Sequence, residues 1–123
     1  MSLSFYDPPR GVFSGTNRAE IQRNITVGAG NNSQALAVPI RGEINLITTS
    51  SATASTGVRL PAGVEPGDDL IVFNGGASTT LVYPATGGVI NALSANAGFS
   101  MAAGTRARFI ATSNLNWIAL LSA

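Results

Sequence analysis

The chain has no cysteine, no histidine and no lysine. Only 11% of its residues are charged, against about 25% in an ordinary soluble domain. Each absence removes a chemistry. Without cysteine there is no disulfide framework, no thiolate nucleophile and no iron–sulfur ligation, and without histidine as well there is no conventional zinc site. Serine triads with a histidine base, P-loop lysines and Schiff-base lysines fall with the same inventory. No stretch approaches the roughly 20 uninterrupted apolar residues of a membrane-spanning helix. The first ten residues carry an acid and two prolines where an export signal needs a basic start and an apolar run. The expectation is a protein made in a cytoplasm, with no membrane partner. Seven arginines against six acids give a net charge of +1, so no bulk field draws the chain onto nucleic acid.

What is present is small, neutral and β-forming. At 123 residues and 45% hydrophobic the chain suits one domain with an arm. In residues 1–34 the paired prolines of Asp7-Pro8-Pro9-Arg10-Gly11 remove two backbone donors and set φ, which excludes helix and central strand. This segment reads as an extended N-terminal arm. Within it residues 18–27 lean towards a strand, ended by Gly28-Ala29-Gly30-Asn31-Asn32. Residues 35–123 read as a β domain. Apolar positions alternate at Ile44 and Leu46, and Pro39 suggests an edge or a bulge. Val64-Glu65-Pro66-Gly67 reads as a turn with proline where its ring pre-sets φ. The run Asp68-Asp69-Leu70-Ile71-Val72-Phe73 closes on Asn74-Gly75-Gly76, and Thr79-Thr80-Leu81-Val82-Tyr83 answers it as a hairpin partner. Further strands are expected at 88–93, 98–101, 105–112 and 115–121. In the third of these Ala107, Phe109 and Ala111 share one face, while Arg106, Arg108 and Ile110 share the other.

Short strands with turns every 8 to 12 residues predict an all-β fold, a small antiparallel β-sandwich or barrel. No repeat of about 20 to 50 residues marks a solenoid. The expected core is Leu70, Val72, Phe73, Leu81, Phe109, Trp117 and Ile118.

Candidate chemistry is thin. Glu65, Asp68 and Asp69 are the best group for a weak cation site, but a solvated turn leading into a strand explains them more simply. No catalytic residue, metal ligand or cofactor site is expected. The arginines suit an interface instead, because the guanidinium fork pairs carboxylates two bonds at a time and is weakly hydrated. Phe5, Tyr6, Arg10, Phe13, Arg18 and Arg23 lie along the arm as candidate docking residues, and Arg59, Arg106 and Arg108 are candidates for an oligomer interface. With so little charge on a small domain, part of the exterior is expected to be covered by copies of the chain itself.

The segments Thr56-Gly57-Val58-Arg59-Leu60-Pro61, Val82-Tyr83-Pro84-Ala85-Thr86-Gly87, Ile90-Asn91, Ala102-Ala103-Gly104-Thr105, Phe109-Ile110-Ala111-Thr112-Ser113 and Asn116-Trp117 resemble small, lysine-poor β proteins of tailed-bacteriophage virions. The resemblance spans roughly residues 56–120. It is to capsid cement (decoration) proteins, and secondarily to trimeric β pieces of tail fibres. It implies a homotrimer on the outer capsid surface that bridges neighbouring major capsid proteins. Under the tail-fibre alternative it implies a trimeric fibre or spike component that binds a host-surface glycan.

Overall fold

A computed structural model describes residues 19–122. Among these residues there is no helix, and nine strands form. They are β1 (Ile21–Thr26), β2 (Val38–Pro39), β3 (Ile44–Thr49), β4 (Gly57–Arg59), β5 (Asp69–Asn74), β6 (Thr80–Tyr83), β7 (Phe99–Met101), β8 (Arg106–Ala111) and β9 (Trp117–Ser122). Two sheets result, one of five strands in the order β1-β3-β5-β8-β9 and one of four in the order β2-β4-β6-β7. The all-β, sandwich-like architecture is as expected. It is not a barrel, and its sheets are mixed rather than antiparallel.

The reason for the mixed pairing is the chain path. The first six strands alternate between the two sheets, so each strand returns beside its predecessor after a full circuit and runs parallel to it. Ile21 faces Ile44 and Ile44 faces Ile71 in one sheet, while Val38 faces Val58 and Val58 faces Val82 in the other. This is a short coil of the solenoid kind without a fixed sequence period, because its circuits differ in length. β7, β8 and β9 then reverse direction and close it with antiparallel pairs.

The hairpin expected between β5 and β6 does not form, because those strands belong to opposite sheets. β5 already has β3 on one side and β8 on the other, which leaves no edge for β6. Asn74-Gly75-Gly76 is instead a corner. Gly75 N donates to Ile47 O at 2.8 Å, and a Cβ on Gly76 would collide with Ser50 in the corner of the preceding circuit. The Asn74 side chain is fully buried there. Its Nδ2 donates to Ser78 O and Met101 O at 2.9 and 3.0 Å, and its Oδ1 accepts from Gly76 N at 3.1 Å. Asn45 does the same work one circuit earlier, accepting from Gly42 N and donating to Gly42 O and Ile71 O.

Between the sheets lie Ile25, Val27, Ile47, Val58, Leu70, Val72, Val82, Met101, Phe109 and Trp117. Phe99 of the smaller sheet meets Phe109 of the larger one edge to face, with centroids 5.7 Å apart. Ala107, Phe109 and Ala111 face inward, as their spacing predicts. The expected core needs correction at three places: Phe73 and Leu81 are half-buried and Ile118 is exposed. Neighbours in a strand point to opposite faces, so Phe73 cannot join Val72, nor Ile118 join Trp117. β3 likewise turns Asn45 and Ile47 inward and leaves Ile44 and Leu46 on the outer side. The stretch read as an arm contributes β1, whose Ile25 lies in the core together with the following Val27. Asn74→Ala is expected to lower stability by at least about 1–3 kcal/mol in urea unfolding, because it strands buried backbone groups. Gly30→Ala, where a Cβ meets nothing, should stay within about 0.5 kcal/mol. Equal midpoints for the two variants would refute the corner's role.

Candidate interaction surface

The outer side of the five-stranded sheet collects the apolar residues that alternation keeps out of the core. Along one row, register sets Ile21 beside Ile44, Ile44 beside Ile71, Ile71 beside Arg108 and Arg108 beside Leu120. The next row reads Leu46, Phe73, Arg106 and Ser122, and the third reads Asp69, Ile110 and Ile118. Ile21, Ile71 and Ile118 are each about 40% exposed and Leu120 is 54% exposed. A contiguous apolar face of this kind marks a binding surface more often than scattered exposed residues do.

Its charges are few and mostly engaged. Arg108 reaches diagonally from β8 to β5, where Nε donates to Asp69 Oδ2 at 2.8 Å and Nη2 lies 2.7 Å from the same oxygen as an ion pair. Partial burial alone raises the Asp69 carboxyl. Hydrogen bonds and positive charge, Arg108's among them, outweigh it and hold Asp69 below its ordinary value. The Arg106 guanidinium lies over the Phe73 ring, 5.5 Å from its centroid. Each arginine thus has a partner on the neighbouring strand β5, a ring for Arg106 and a carboxylate for Arg108.

The sequence candidates separate in the structure. Arg106 and Arg108 share this face. Arg59 lies on the other sheet, where its Nη1 donates to Gln34 O at 3.0 Å and Ala35 O at 3.1 Å and so clamps the chain's own loop. An open groove of about 530 Å³ runs beside it, with Pro39, Arg41, Pro61 and Leu115 in its walls. Tyr83 Oη donates to Ser55 O at 2.6 Å, and Gln34 Nε2 to Pro84 O at 2.7 Å. Loops of the same chain thus cover much of the smaller sheet. Arg23 is exposed on β1, next to Asn24, whose φ of 55° accompanies a register shift against β3. Phe5, Tyr6, Arg10, Phe13 and Arg18 lie outside the described residues.

The acidic group is divided among separate tasks. Asp68 Oδ2 accepts from Glu65 N at 2.9 Å, inside a turn where Asp68 N donates to Glu65 O and Gly67 has φ 96°. Asp69 faces Arg108. Among the described residues no group of three or more carboxylates is arranged to hold a metal ion.

Sequence reasoning missed the isoleucine ladder. Its signal was available in Asp69-Leu70-Ile71-Val72-Phe73 and Trp117-Ile118-Ala119-Leu120-Leu121, which are apolar on both faces. Such runs read as fully buried strands, whereas here one face is outside. No family model matches the chain, and comparison with curated proteins and with solved structures returned no similar protein.

Because the Asp69 value is lowered in the fold, its stabilising effect is present above the unfolded carboxyl's pKa of about 3.9 and is lost as pH falls through the folded value. Wild type should exceed Asp69→Asn by about 0.2–1 kcal/mol near neutrality. The difference in urea midpoint should close as the solution is acidified below the ordinary carboxyl range. A difference independent of pH would show that the ion pair contributes nothing.

Proposed function

We propose that this chain is a structural protein of a tailed-bacteriophage virion. In this reading it is a capsid cement (decoration) protein that binds the outer capsid surface as a homo-oligomer, bridges adjacent major capsid proteins and stabilises the head. The observation that carries the reading is the outer face of the five-stranded sheet, largely apolar, with Arg106 and Arg108 crossing it on β8, one over Phe73 and the other paired with Asp69. The side-chain inventory adds weight, since a chain without cysteine, histidine or lysine is poorly equipped for catalysis and well suited to contact.

The segments that carry the resemblance serve the framework. Residues 56–61 supply β4 and its exit, and 82–87 end β6 in a loop where Gly87 N donates to Asn96 Oδ1 at 2.6 Å. Ile90 bridges to Trp117, and 102–105 form the corner in which Thr105 Oγ1 donates to Ala102 O at 2.7 Å. The resemblance therefore speaks for a shared scaffold, and docking is assigned to the sheet face and to the residues before 19. There Phe5, Tyr6 and Phe13 are the apolar anchors, and Arg10 and Arg18, together with Arg23 on β1, the partners of acidic groups. The trimeric state comes from the resemblance alone. Several modest contacts on one oligomer reinforce one another through effective concentration, so no single site need be strong.

The tail-fibre reading draws support from one feature, the parallel stacking of β1, β3 and β5, which is how elongated solenoids grow. Densitometry of a purified particle separates the two, with high copy number in the head expected for cement and a few copies in the tail for a fibre. Deleting residues 2–17 should leave a folded oligomer that no longer sediments with expanded capsids. Unchanged sedimentation would refute the docking role of that segment, and a full-length chain that never sediments with capsids would refute the cement reading.

A further inference from the structure

We propose that the groove beside Arg41 and Arg59 is a docking site for a short acidic segment of another protein, held by its carboxylates. The proposal goes beyond the reading above and does not require that the partner be a capsid protein. The groove measures about 530 Å³, within the size range of small-ligand sites. Both arginines line it, and no aspartate or glutamate does.

The other arginines on the sheets are spent or stand elsewhere. Arg108 meets Asp69, Arg106 lies over Phe73 and Arg23 is on β1. Arg41 and Arg59 form no ion pair among the described residues. Each is nevertheless held in place. Nη1 of the half-buried Arg59 donates to Gln34 O and Ala35 O, which leaves Nε and Nη2 without a partner among the described residues. Those two nitrogens form a side of the guanidinium that can take a carboxylate through two parallel bonds. Arg41 N donates to Gln22 Oε1 at 2.9 Å, and a Cβ on the buried Gly42 that follows would lie 2.9 Å from Gln22 N. The backbone carrying Arg41 is therefore fixed as well. Two positive charges share one concave surface that holds no charge of the other sign, so the complementary occupant is an anion.

The rest of the groove says what carries that charge. Pro39, Pro61 and Leu115 give it apolar walls, and it has no aromatic ring on which a sugar or a nucleobase would stack. A net charge of +1 gives nucleic acid little further attraction. The edge strand β2 offers no amide for main-chain pairing either. Ile40 N donates into the sheet, to Arg59 O at 3.0 Å, so by alternation the outward nitrogen is that of Pro39, which has no hydrogen. Recognition is left to side chains, apolar ones against the prolines and Leu115 and carboxylates on the two arginines.

Fluorescence anisotropy of the full chain with a short fluorescein-labelled peptide, in which glutamate alternates with leucine, tests this against the same peptide with glutamine for glutamate. The glutamate peptide should bind at least about tenfold more tightly, and its binding should weaken as sodium chloride is added. Arg41→Gln and Arg59→Gln should each lower its affinity by about tenfold, while Arg23→Gln, exposed on β1 and outside the groove, should leave it unchanged. No measurable binding, equal affinity for the two peptides, or an Arg41→Gln variant that binds as the wild type does would each overturn the proposal. Tighter binding of labelled oligosialic acid or oligothymidylate than of the peptide would make a glycan or a nucleic acid the occupant and overturn it too. Tighter peptide binding after deletion of residues 2–17, which include Asp7, would make the chain's own first segment the occupant, with the same consequence. Should Arg59→Gln loosen the loop that Arg59 clamps, the exposed Arg41 still decides.

Discussion

The fold depends on how buried backbone groups are satisfied where the chain crosses from one sheet to the other. At each crossing the strand ladder ends and amides and carbonyls turn inward, where an unpartnered group costs about 1–3 kcal/mol. Asn74 and Asn45, both fully buried, meet this need with a neutral side chain that donates and accepts at once. A charged side chain in either place would have to be desolvated without a counterion. The same device recurs nearer the surface, where Asn31 accepts from Gly28 N and Asn116 from Val89 N. The polar content of the chain is thus largely consumed in tying its own loops, which gives the scarcity of charge a structural meaning.

That economy shapes the exterior. Once the interior between the sheets is filled by one residue in two, the apolar residues of the alternate set have only the outer side of the larger sheet. The Ile21, Ile44 and Ile71 row is the result, with Arg106 laid on Phe73 and Arg108 held by Asp69. The smaller sheet differs because loops of the same chain close over it, through Arg59 and Gln34 on one side and Tyr83 on the other. Among the described residues, then, loops close over the smaller sheet and not over the outer side of the larger one.

Individual residues show how far the sequence could be read. β8 was legible in full, since Ala107, Phe109 and Ala111 alternate with arginines and only one face can be buried. The turn read at Val64-Glu65-Pro66-Gly67 lies one residue further on, closed from Glu65 to Asp68, and was legible because proline fixes φ and Gly67 can take the positive φ of 96° that the turn needs. Pro39 on β2, an edge strand, follows from its missing donor. The corner at Asn74-Gly75-Gly76 was misread, because the same three residues suit a tight hairpin equally well and only the occupied flanks of β5 forbid it. Phe73 and Ile118 were misplaced for a related reason: in a run apolar at every position, nothing local says which half faces in.

The sequence by itself determined the class of structure and the classes of chemistry denied to it. Strand propensity, turn residues and side-chain inventory act over a few neighbours and need no knowledge of distant contacts. Strand partners, the parallel coil, the uncovered face and the exposed end of β9 were decided only by the tertiary structure. Which strands lie side by side depends on which edges are already occupied, and that is a property of the whole packed chain.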